Sequence, residues 1–409
     1  MPFWKRAPHI VTDERRIESV LDRGVAEVLP SRDGLRTLLT SGRRIRLYQG
    51  FDPTGADLHI GHMVGLRKLA QFQALGHEVI FLIGDGTGQA GDPSGKAQVR
   101  ERHLTHRELL ENARSYRSQA GRILRFSGPN AARVRFNGSW LNELKLADVL
   151  DIAGHFTLQQ LSERDLFRER VRRGEAVSVR EFLYPMLQGY DSVAMEIDLE
   201  IGATDQTFNM LAGRTLVKQM LGREKFVLTM PLLTDAHGRK IGKTEGNVIA
   251  LTDEPDDLYG KIMALGDDVI AHGFEYLTDV PMDEVRAIEQ AAATENPKPH
   301  KERLAREIVR QLHGENAATR AHETFERTFA KGEVPTLEAG LDMGTQETLG
   351  DVLLKHGFVK SKADFKRLVA QGAVRNLEDN IVITDEQYRP SKPETFRIGK
   401  KRFVRIEPL

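Results

Sequence analysis

The 409-residue sequence contains no cysteine. That absence removes disulfide frameworks, thiolate metal sites and a cysteine nucleophile together, and says nothing direct about compartment. Net charge is missing too: 59 Lys and Arg balance 59 Asp and Glu. No global field therefore draws the protein to nucleic acid or to an anionic membrane, and any basic surface has to be local. Long apolar runs are also absent. Stretches such as Val79-Ile80-Phe81-Leu82-Ile83 fall far short of the roughly 18 apolar residues a membrane helix needs. No apolar core follows Met1-Pro2-Phe3-Trp4-Lys5-Arg6, so no secretory signal is expected. With 29% charged residues and a mean hydropathy of −0.41, the expectation is a soluble cytoplasmic protein with no membrane partner. The sequence shows neither internal repeats nor low-complexity tracts.

The length predicts two or three domains. Residues 12–29 and 31–41 read as helices, the second with Ser31 as N-cap and Leu35, Leu38 and Leu39 on one face. Arg44 to Tyr48 alternates like a strand and runs into Gly50-Phe51-Asp52-Pro53-Thr54-Gly55, which is turn chemistry. A helix over about 61–75, a strand from Glu78 to Ile83 and a Gly-rich stretch reaching Lys96 follow. Strand, crossover helix and strand make a βαβ unit. A second set is predicted from a helix over 179–195, a strand over 198–203, a helix over 206–221 and a strand over 226–230. The fold class is therefore α/β, with a Rossmann-like open parallel sheet in residues 1–252. Residues 253–330 read as a helical domain, 331–346 as a linker and 347–409 as a small α+β module. That last module carries 13 Lys and Arg against 9 Asp and Glu, a net of +4 on a neutral chain.

Two clusters carry chemistry. The first is Tyr48-Gln49-Gly50-Phe51-Asp52-Pro53-Thr54 with His59-Ile60-Gly61-His62 at the start of the first crossover helix. Ligands of open α/β sheets bind beyond the carboxyl ends of the strands, where a helix N-terminus offers free N–H groups. Two imidazoles there can donate to phosphate oxygens, and Gly50 and Gly61 let a ligand lie close to the backbone. An isolated pair of histidines at i and i+3 would otherwise be read as ordinary capping or core residues. The second cluster is Gly238-Arg239-Lys240-Ile241-Gly242-Lys243-Thr244-Glu245-Gly246-Asn247. It fails as a phosphate-binding P-loop, because three residues rather than four separate Gly238 from Gly242, and it follows the last predicted strand rather than the first. By itself it reads as a solvated basic loop. Gly86-x-Gly88-x-x-Gly91 formally matches a dinucleotide fingerprint, but Pro93 argues against the helix that should follow.

His59-Ile60-Gly61-His62 is the HIGH signature of class I aminoacyl-tRNA synthetases, and Lys240-Ile241-Gly242-Lys243-Thr244 resembles their KMSKS loop. Tyr48 to Asp52, Gly91-Asp92-Pro93-Ser94-Gly95-Lys96, Tyr184-Pro185-Met186-Leu187-Gln188-Gly189-Tyr190-Asp191 and Thr204-Asp205-Gln206 together resemble bacterial tyrosyl-tRNA synthetases. Residues 348–376 resemble the S4-type RNA-binding module that ends those enzymes, so the likeness covers nearly the whole chain.

Tyr184, Gln188 and Asp191 are spaced i, i+4, i+7 and share one helical face, next to an apolar stripe of Leu183, Leu187, Tyr190 and Ala194 expected to face the core. Read without the family, that face is as well explained by a helix surface with one buried tyrosine. Pro185 means that the helix either starts there or kinks. The resemblance implies that Tyr184, Gln188 and Asp92 hold the ammonium of a tyrosine substrate, and that Tyr48 and Asp191 hold its phenolic hydroxyl. It also implies that Gln206 lines the same pocket, and that Gly50, Asp52, His59, His62, Asp205 and Lys243 face ATP. Asn137 and Trp140 fall in a stretch resembling a pocket-flanking loop.

The implied chemistry needs no protein nucleophile. A tyrosine carboxylate displaces pyrophosphate from ATP, and a terminal ribose hydroxyl of tRNA(Tyr) then takes the tyrosine. His59, His62, Lys240, Lys243 and Thr244 are the residue types that position and neutralise the pyrophosphate. Mg2+ is expected to travel with ATP, without a fixed protein site, and the family implies a homodimer. The rival readings are a tryptophanyl-tRNA synthetase and a catalytically silent RNA-binding relative. Tyr48 with Asp191 disfavours the first, and the intact histidines and lysines disfavour the second. A P-loop ATPase is a distant third.

Overall fold

The computed structural model describes residues 9–94, 102–162, 165–241, 248–327, 340–345, 347–359, 361–379, 381–399 and 402–408. Contacts divide the chain into two compact units, one ending at Thr319 and the other beginning at Arg320. The first unit opens with α1 (Glu14–Asp22), β1 (Glu27–Leu29), α2 (Arg32–Thr40), β2 (Arg46–Phe51), α3 (Ile60–Ala74), β3 (Glu78–Ile83) and α4 (Thr87–Ala90). It continues through α5 (His106–Ala113), α6 (Tyr116–Ala120), β4 (Arg133–Phe136), α7 (Gly138–Leu141), α8 (Leu146–Gly154), α9 (Leu158–Ser162) and α10 (Asp165–Arg172). Then come α11 (Val179–Ala194), β5 (Leu199–Ala203), α12 (Thr207–Leu221) and β6 (Phe226–Met230).

The strands form one sheet in the order β1-β6-β5-β2-β3-β4. Only β1 runs antiparallel, against β6, and the other neighbours are parallel. The chain winds outward from β2 through β3 to β4, and from β5 to β6 on the other side, so the switch point lies between β2 and β5. These two strands pair only at Leu47 with Leu199 and at Tyr48 with Glu200, and beyond that register their carboxyl ends are unpaired with each other. An open α/β sheet places its ligand crevice at such a point.

Several sequence expectations change here. The helix expected over 12–29 stops at Asp22, and Glu27–Leu29 instead pairs with β6. Arg23 leaves the helix because its guanidinium donates to the carbonyls of Phe274, Glu275 and Val280 at 2.8, 2.8 and 2.6 Å. The strand expected over 44–48 runs instead from Arg46 through Gly50 to Phe51, in register with β3. The Gly86-x-Gly88-x-x-Gly91 segment holds only the four-residue α4, which is not the long helix of a dinucleotide site.

In α11 the expected polarity is reversed. Tyr184, Asp191 and Ser192 are buried, whereas Leu183, Leu187 and Tyr190 are half-buried and Ala194 is exposed. The polar side turns inward because it faces the cleft at the strand ends, while Leu183 and Tyr190 pack sideways against the cluster of Ile152, Leu161, Met186 and Leu216. Pro185 sits inside the helix, which starts six residues earlier at the Ser178 cap.

After β6 the first unit continues with α13 (Pro255–Met263), α14 (Ile270–Leu277), α15 (Met282–Thr294) and α16 (Lys298–His313). Helix α14 packs on α3, and the buried Arg67 of α3 donates to Thr278 O, to Asp279 Oδ1 and to Gln311 Oε1. Helix α17 (Glu315–Phe325) leads into the second unit. There β7 (Leu341–Met343), α18 (Leu349–Lys355), α19 (Lys362–Ala370), β8 (Val374–Asn376), β9 (Glu394–Ile398) and β10 (Arg402–Pro408) form a four-stranded sheet with two helices. Its core includes Leu349, Val352, Phe365, Val374, Phe396, Ile398 and Ile406.

Candidate active site

The carboxyl ends of β2, β3, β5 and β6, with α3 and α11, enclose a cavity of about 250 Å3. It is lined by Tyr48, Gly50, Asp52, His59, His62, Asp92, Tyr184, Gln188, Asp191, Asp205, Gln206 and Lys240. Lys243 and Thr244 lie outside the described residues. Every other candidate site residue from the sequence lines this one cavity except Trp140, which bonds to Asp191 from behind the lining.

One end of the cavity is built on α11. Asp191 is almost fully buried, and its two oxygens accept Trp140 Nε1 at 2.8 Å and Asn137 Nδ2 at 3.0 Å. Burial pushes its carboxyl well above the usual range, with Glu200 and Asp52 adding to the rise, and the two N–H donors oppose it. The Tyr48 hydroxyl lies 3.3 Å from Ser192 Oγ and 3.5 Å from Gln188 O. Burial first, then the Glu200 and Asp191 charges, raise its phenol well above the ordinary value. A phenol and a carboxylate thus stand together deep in the cavity.

The middle is rich in carboxylates. Tyr184 donates to Asp52 Oδ2 at 2.9 Å and Thr87 donates to Asp52 Oδ1 at 2.7 Å. The approach requires a glycine, because a Cβ on Gly84 would sit 1.9 Å from Asp52 Oδ1. Burial and then the neighbouring Asp52 and Asp92 raise the Tyr184 phenol. Gln206 Nε2 donates to Asp92 Oδ2 at 2.8 Å, and the Ser94 N–H donates to Asp92 Oδ1 at 2.8 Å. Gln188 Nε2 donates to Glu200 Oε1 at 2.9 Å. This concentration of acidic oxygens suits a cationic group on a ligand.

The other end is the start of α3. His59 is its N-cap, with Nδ1 accepting the Gly61 N–H at 3.1 Å, while His62 Nδ1 accepts the His59 N–H at 3.1 Å. The two rings lie close, tilted by 33° with centroids 3.9 Å apart. The histidines are therefore helix caps and cavity residues at once. A neutral imidazole that accepts at Nδ1 carries its proton on Nε2, so the capping bonds set both rings as Nε2–H donors. Lys240 Nζ pairs with Asp205 Oδ2 at 2.6 Å, and Ile241 is tied back by its N–H to Leu233 O at 2.9 Å. Donors for an anion at one end and carboxylates in the middle suit a ligand pair of opposite charge.

Residues 40–330 match the family model described as tRNA synthetases class I (W and Y). The chain belongs to that family. It is 40% identical to the tyrosine–tRNA ligase of Carboxydothermus hydrogenoformans, over 97% of this chain and 98% of that one. It is 38% identical to the tyrosine–tRNA ligase of Thermotoga maritima, again over 97% and 98%. Among solved structures it resembles a C-terminally truncated mitochondrial tyrosyl-tRNA synthetase of Aspergillus nidulans. That match has a TM-score of 0.66 and 25% identity, and covers 77% of this chain and 94% of that one.

Placed on this class I synthetase framework, Thr87, Glu200 and Asn209 escaped the sequence reading, while Asn137, expected in a pocket-flanking stretch, lines the cavity itself. Thr87 and Asn137 clamp the β3 end, Asn137 accepting the Gly86 N–H at 2.8 Å and donating to Thr87 Oγ1 at 3.0 Å. Glu200 lines the cavity and bonds to the fully buried Lys225. Asn209 donates to Gln206 Oε1 at 2.9 Å. A lone acidic residue inside the apolar strand Leu199-Glu200-Ile201 was the one signal in the sequence that marked Glu200.

Proposed function

We propose that the chain is a tyrosine–tRNA ligase, which activates L-tyrosine with ATP to tyrosyl-adenylate and passes the tyrosine to the 3′-terminal ribose of tRNA(Tyr). The observation that supports this reading is that a buried phenol and a buried carboxyl group, Tyr48 and Asp191, both line a cavity that also takes in the histidine-capped start of a helix. Tyrosine lies with its hydroxyl donating to Asp191. Its ammonium sits among Tyr184, Gln188 and Asp92, with Gln206 behind Asp92. The carboxylate then points toward α3, where the α-phosphorus of ATP meets it. Attack forms the carboxyl–phosphorus bond and breaks the bond to pyrophosphate, so negative charge grows on the departing oxygens. His59 and His62 offer Nε2–H donors there, and Lys240, Lys243 and Thr244 serve the same charge from the loop after β6. Gly50, Asp52 and Asp205 lie along the adenylate. Mg2+ enters with ATP as part of that substrate.

Residues 347–409, within the second unit, take the RNA-binding role, with their net +4 charge directed at tRNA phosphates. Residues 1–252 serve as the catalytic domain, 253–330 as a helical domain on the anticodon side and 331–346 as the linker. The working form is a homodimer in the cytoplasm. Among the described residues, five of the ten exposed large hydrophobics (Leu146, Leu150, Leu158, Val171 and Val179) fall in one stretch of the chain, and such apolar exposure favours a protein partner. Among the described residues no helix is long and apolar enough to cross a membrane. The test is ATP–pyrophosphate exchange with tyrosine and with tryptophan. Exchange driven by tyrosine alone supports the reading, and exchange driven by tryptophan overturns it.

A further inference from the structure

Below the cavity lies a buried charge pair that none of the proposed ligand contacts uses. Lys225 is fully buried, and its ammonium bonds to Glu200 Oε2 and to Met210 O, the latter at 3.1 Å. Glu200, itself 1% exposed, also accepts Ser192 Oγ at 3.4 Å and, on its other oxygen, Gln188 Nε2 at 2.9 Å. The space is reserved for the ammonium: a Cβ on Gly213 of α12 would come within 2.4 Å of Lys225 Nζ and 2.9 Å of Ser192 Oγ. A buried ion pair is seldom retained for stability alone, since apolar residues of equal volume serve as well.

We infer that Lys225 is a positioning residue for amino-acid recognition: by keeping Glu200 ionised, it fixes which end of the Gln188 amide faces the ligand. An ionised carboxylate only accepts hydrogen bonds, so Gln188 must offer it Nε2, and the amide oxygen is left to face the cavity. An ammonium has donors only and needs that oxygen. A neutral Glu200 can donate instead, which lets the amide turn and meet the ammonium with N–H groups. The charged and titratable groups around Glu200 are Lys225, Asp191 and Tyr48, and of these only Lys225 favours its ionised form. The inference rests on the reading of Gln188 as an ammonium site.

The experiment compares binding of L-tyrosine with binding of para-hydroxyphenylpropionate, which is tyrosine without its ammonium. Wild type, Lys225→Met, the charge-neutral double variant Lys225→Met/Glu200→Leu, and Gln188→Leu are titrated with each ligand. Lys225→Met weakens tyrosine about 10-fold or more, the usual size of a hydrogen bond to a charged group, and leaves the analogue within about 3-fold. The double variant loses the same preference, since nothing at position 200 is left to accept Gln188 Nε2, and it keeps the test open if Lys225→Met fails to fold. A folded variant with the wild-type ratio of the two affinities, or with equal loss of both ligands, overturns the inference. If Gln188→Leu weakens both ligands alike, the ammonium reading of Gln188 is what fails. If Gln188→Leu selectively weakens tyrosine and Lys225→Met does not, only the role of Lys225 fails.

Discussion

Trp140→Phe tests the electrostatics of the inner end of the pocket. The indole N–H is one of two side-chain donors that hold Asp191, at 2.8 Å, with Asn137 Nδ2 at 3.0 Å on the other oxygen. Phenylalanine keeps an aromatic ring against Tyr48, Ile80, Leu82, Met195 and Ile197 and removes only the donor. A hydrogen bond to a charged group contributes about 1.5 to 3 kcal/mol, so where Asp191 must be ionised to accept the phenol, kcat/KM for tyrosine falls by roughly 10-fold or more. Asp191 already lies well above the usual carboxylate range through burial, and losing a donor raises it further. The acid limb of the pH profile therefore moves to higher pH. Stability follows the same sign. A carboxyl whose folded pKa exceeds its unfolded one contributes stability that is fully present below the unfolded pKa and is lost as pH rises through the folded pKa. The Tm gap between Trp140→Phe and wild type should accordingly widen only as pH rises through the raised folded pKa of Asp191 in wild type, above the ordinary carboxylate range. The assays are a pH series of tyrosine-dependent pyrophosphate exchange and thermal melts in the same buffers. An acid limb that stays in place, with a Tm gap independent of pH, would refute the reasoning.

His62→Ala should slow adenylate formation by ~10²-fold or more while leaving tyrosine affinity nearly unchanged, if His62 serves the pyrophosphate as proposed. Stopped-flow tyrosine titration with single-turnover kinetics checks it, and a large loss of tyrosine affinity with normal chemistry would count against it. Lys240→Ala releases Asp205 from its 2.6 Å ion pair and should lower the exchange rate at saturating tyrosine more than it raises KM for tyrosine. Deleting residues 347–409 should preserve pyrophosphate exchange and abolish or severely weaken tRNA charging, since the cavity is built wholly from the first unit. A folded truncation that charges tRNA normally would show the tail to be dispensable.

The elements that position the site were legible wherever the side-chain period was strong and local. The β2-α3-β3 unit, α11, β5, α12 and β6 all follow from apolar runs bounded by glycine or capping residues. Edge strands were not legible. The three-residue β1 and the alternation Arg133-Val134-Arg135-Phe136, exposed on most positions, form strands only because a neighbour offers backbone partners. The polarity of α11 was misjudged for a related reason: periodicity shows that Tyr184, Gln188 and Asp191 share a face, and tertiary context decides that this face turns inward. Motifs brought the histidines and Asp191 forward. The partners of Asp191, 51 and 54 positions away in the chain, and the Glu200–Lys225 pair, 25 apart, exist only once the sheet has folded.

The measurement that bears most directly on the central claim is kcat/KM for tyrosine and for phenylalanine in pyrophosphate exchange, on wild type and on Tyr48→Phe. If Asp191 and Tyr48 read the phenolic hydroxyl, phenylalanine leaves buried polar groups unpaired at about 1 to 3 kcal/mol each. Wild type should then prefer tyrosine by about 10⁴ to 10⁵, the discrimination general to tyrosine-selecting synthetases. Tyr48→Phe should shrink that preference modestly, because the Tyr48 hydroxyl is a neutral partner that also has Ser192 at 3.3 Å. A wild-type enzyme that activates phenylalanine comparably, or a ratio unchanged in Tyr48→Phe, would contradict the placement of the hydroxyl between these two residues.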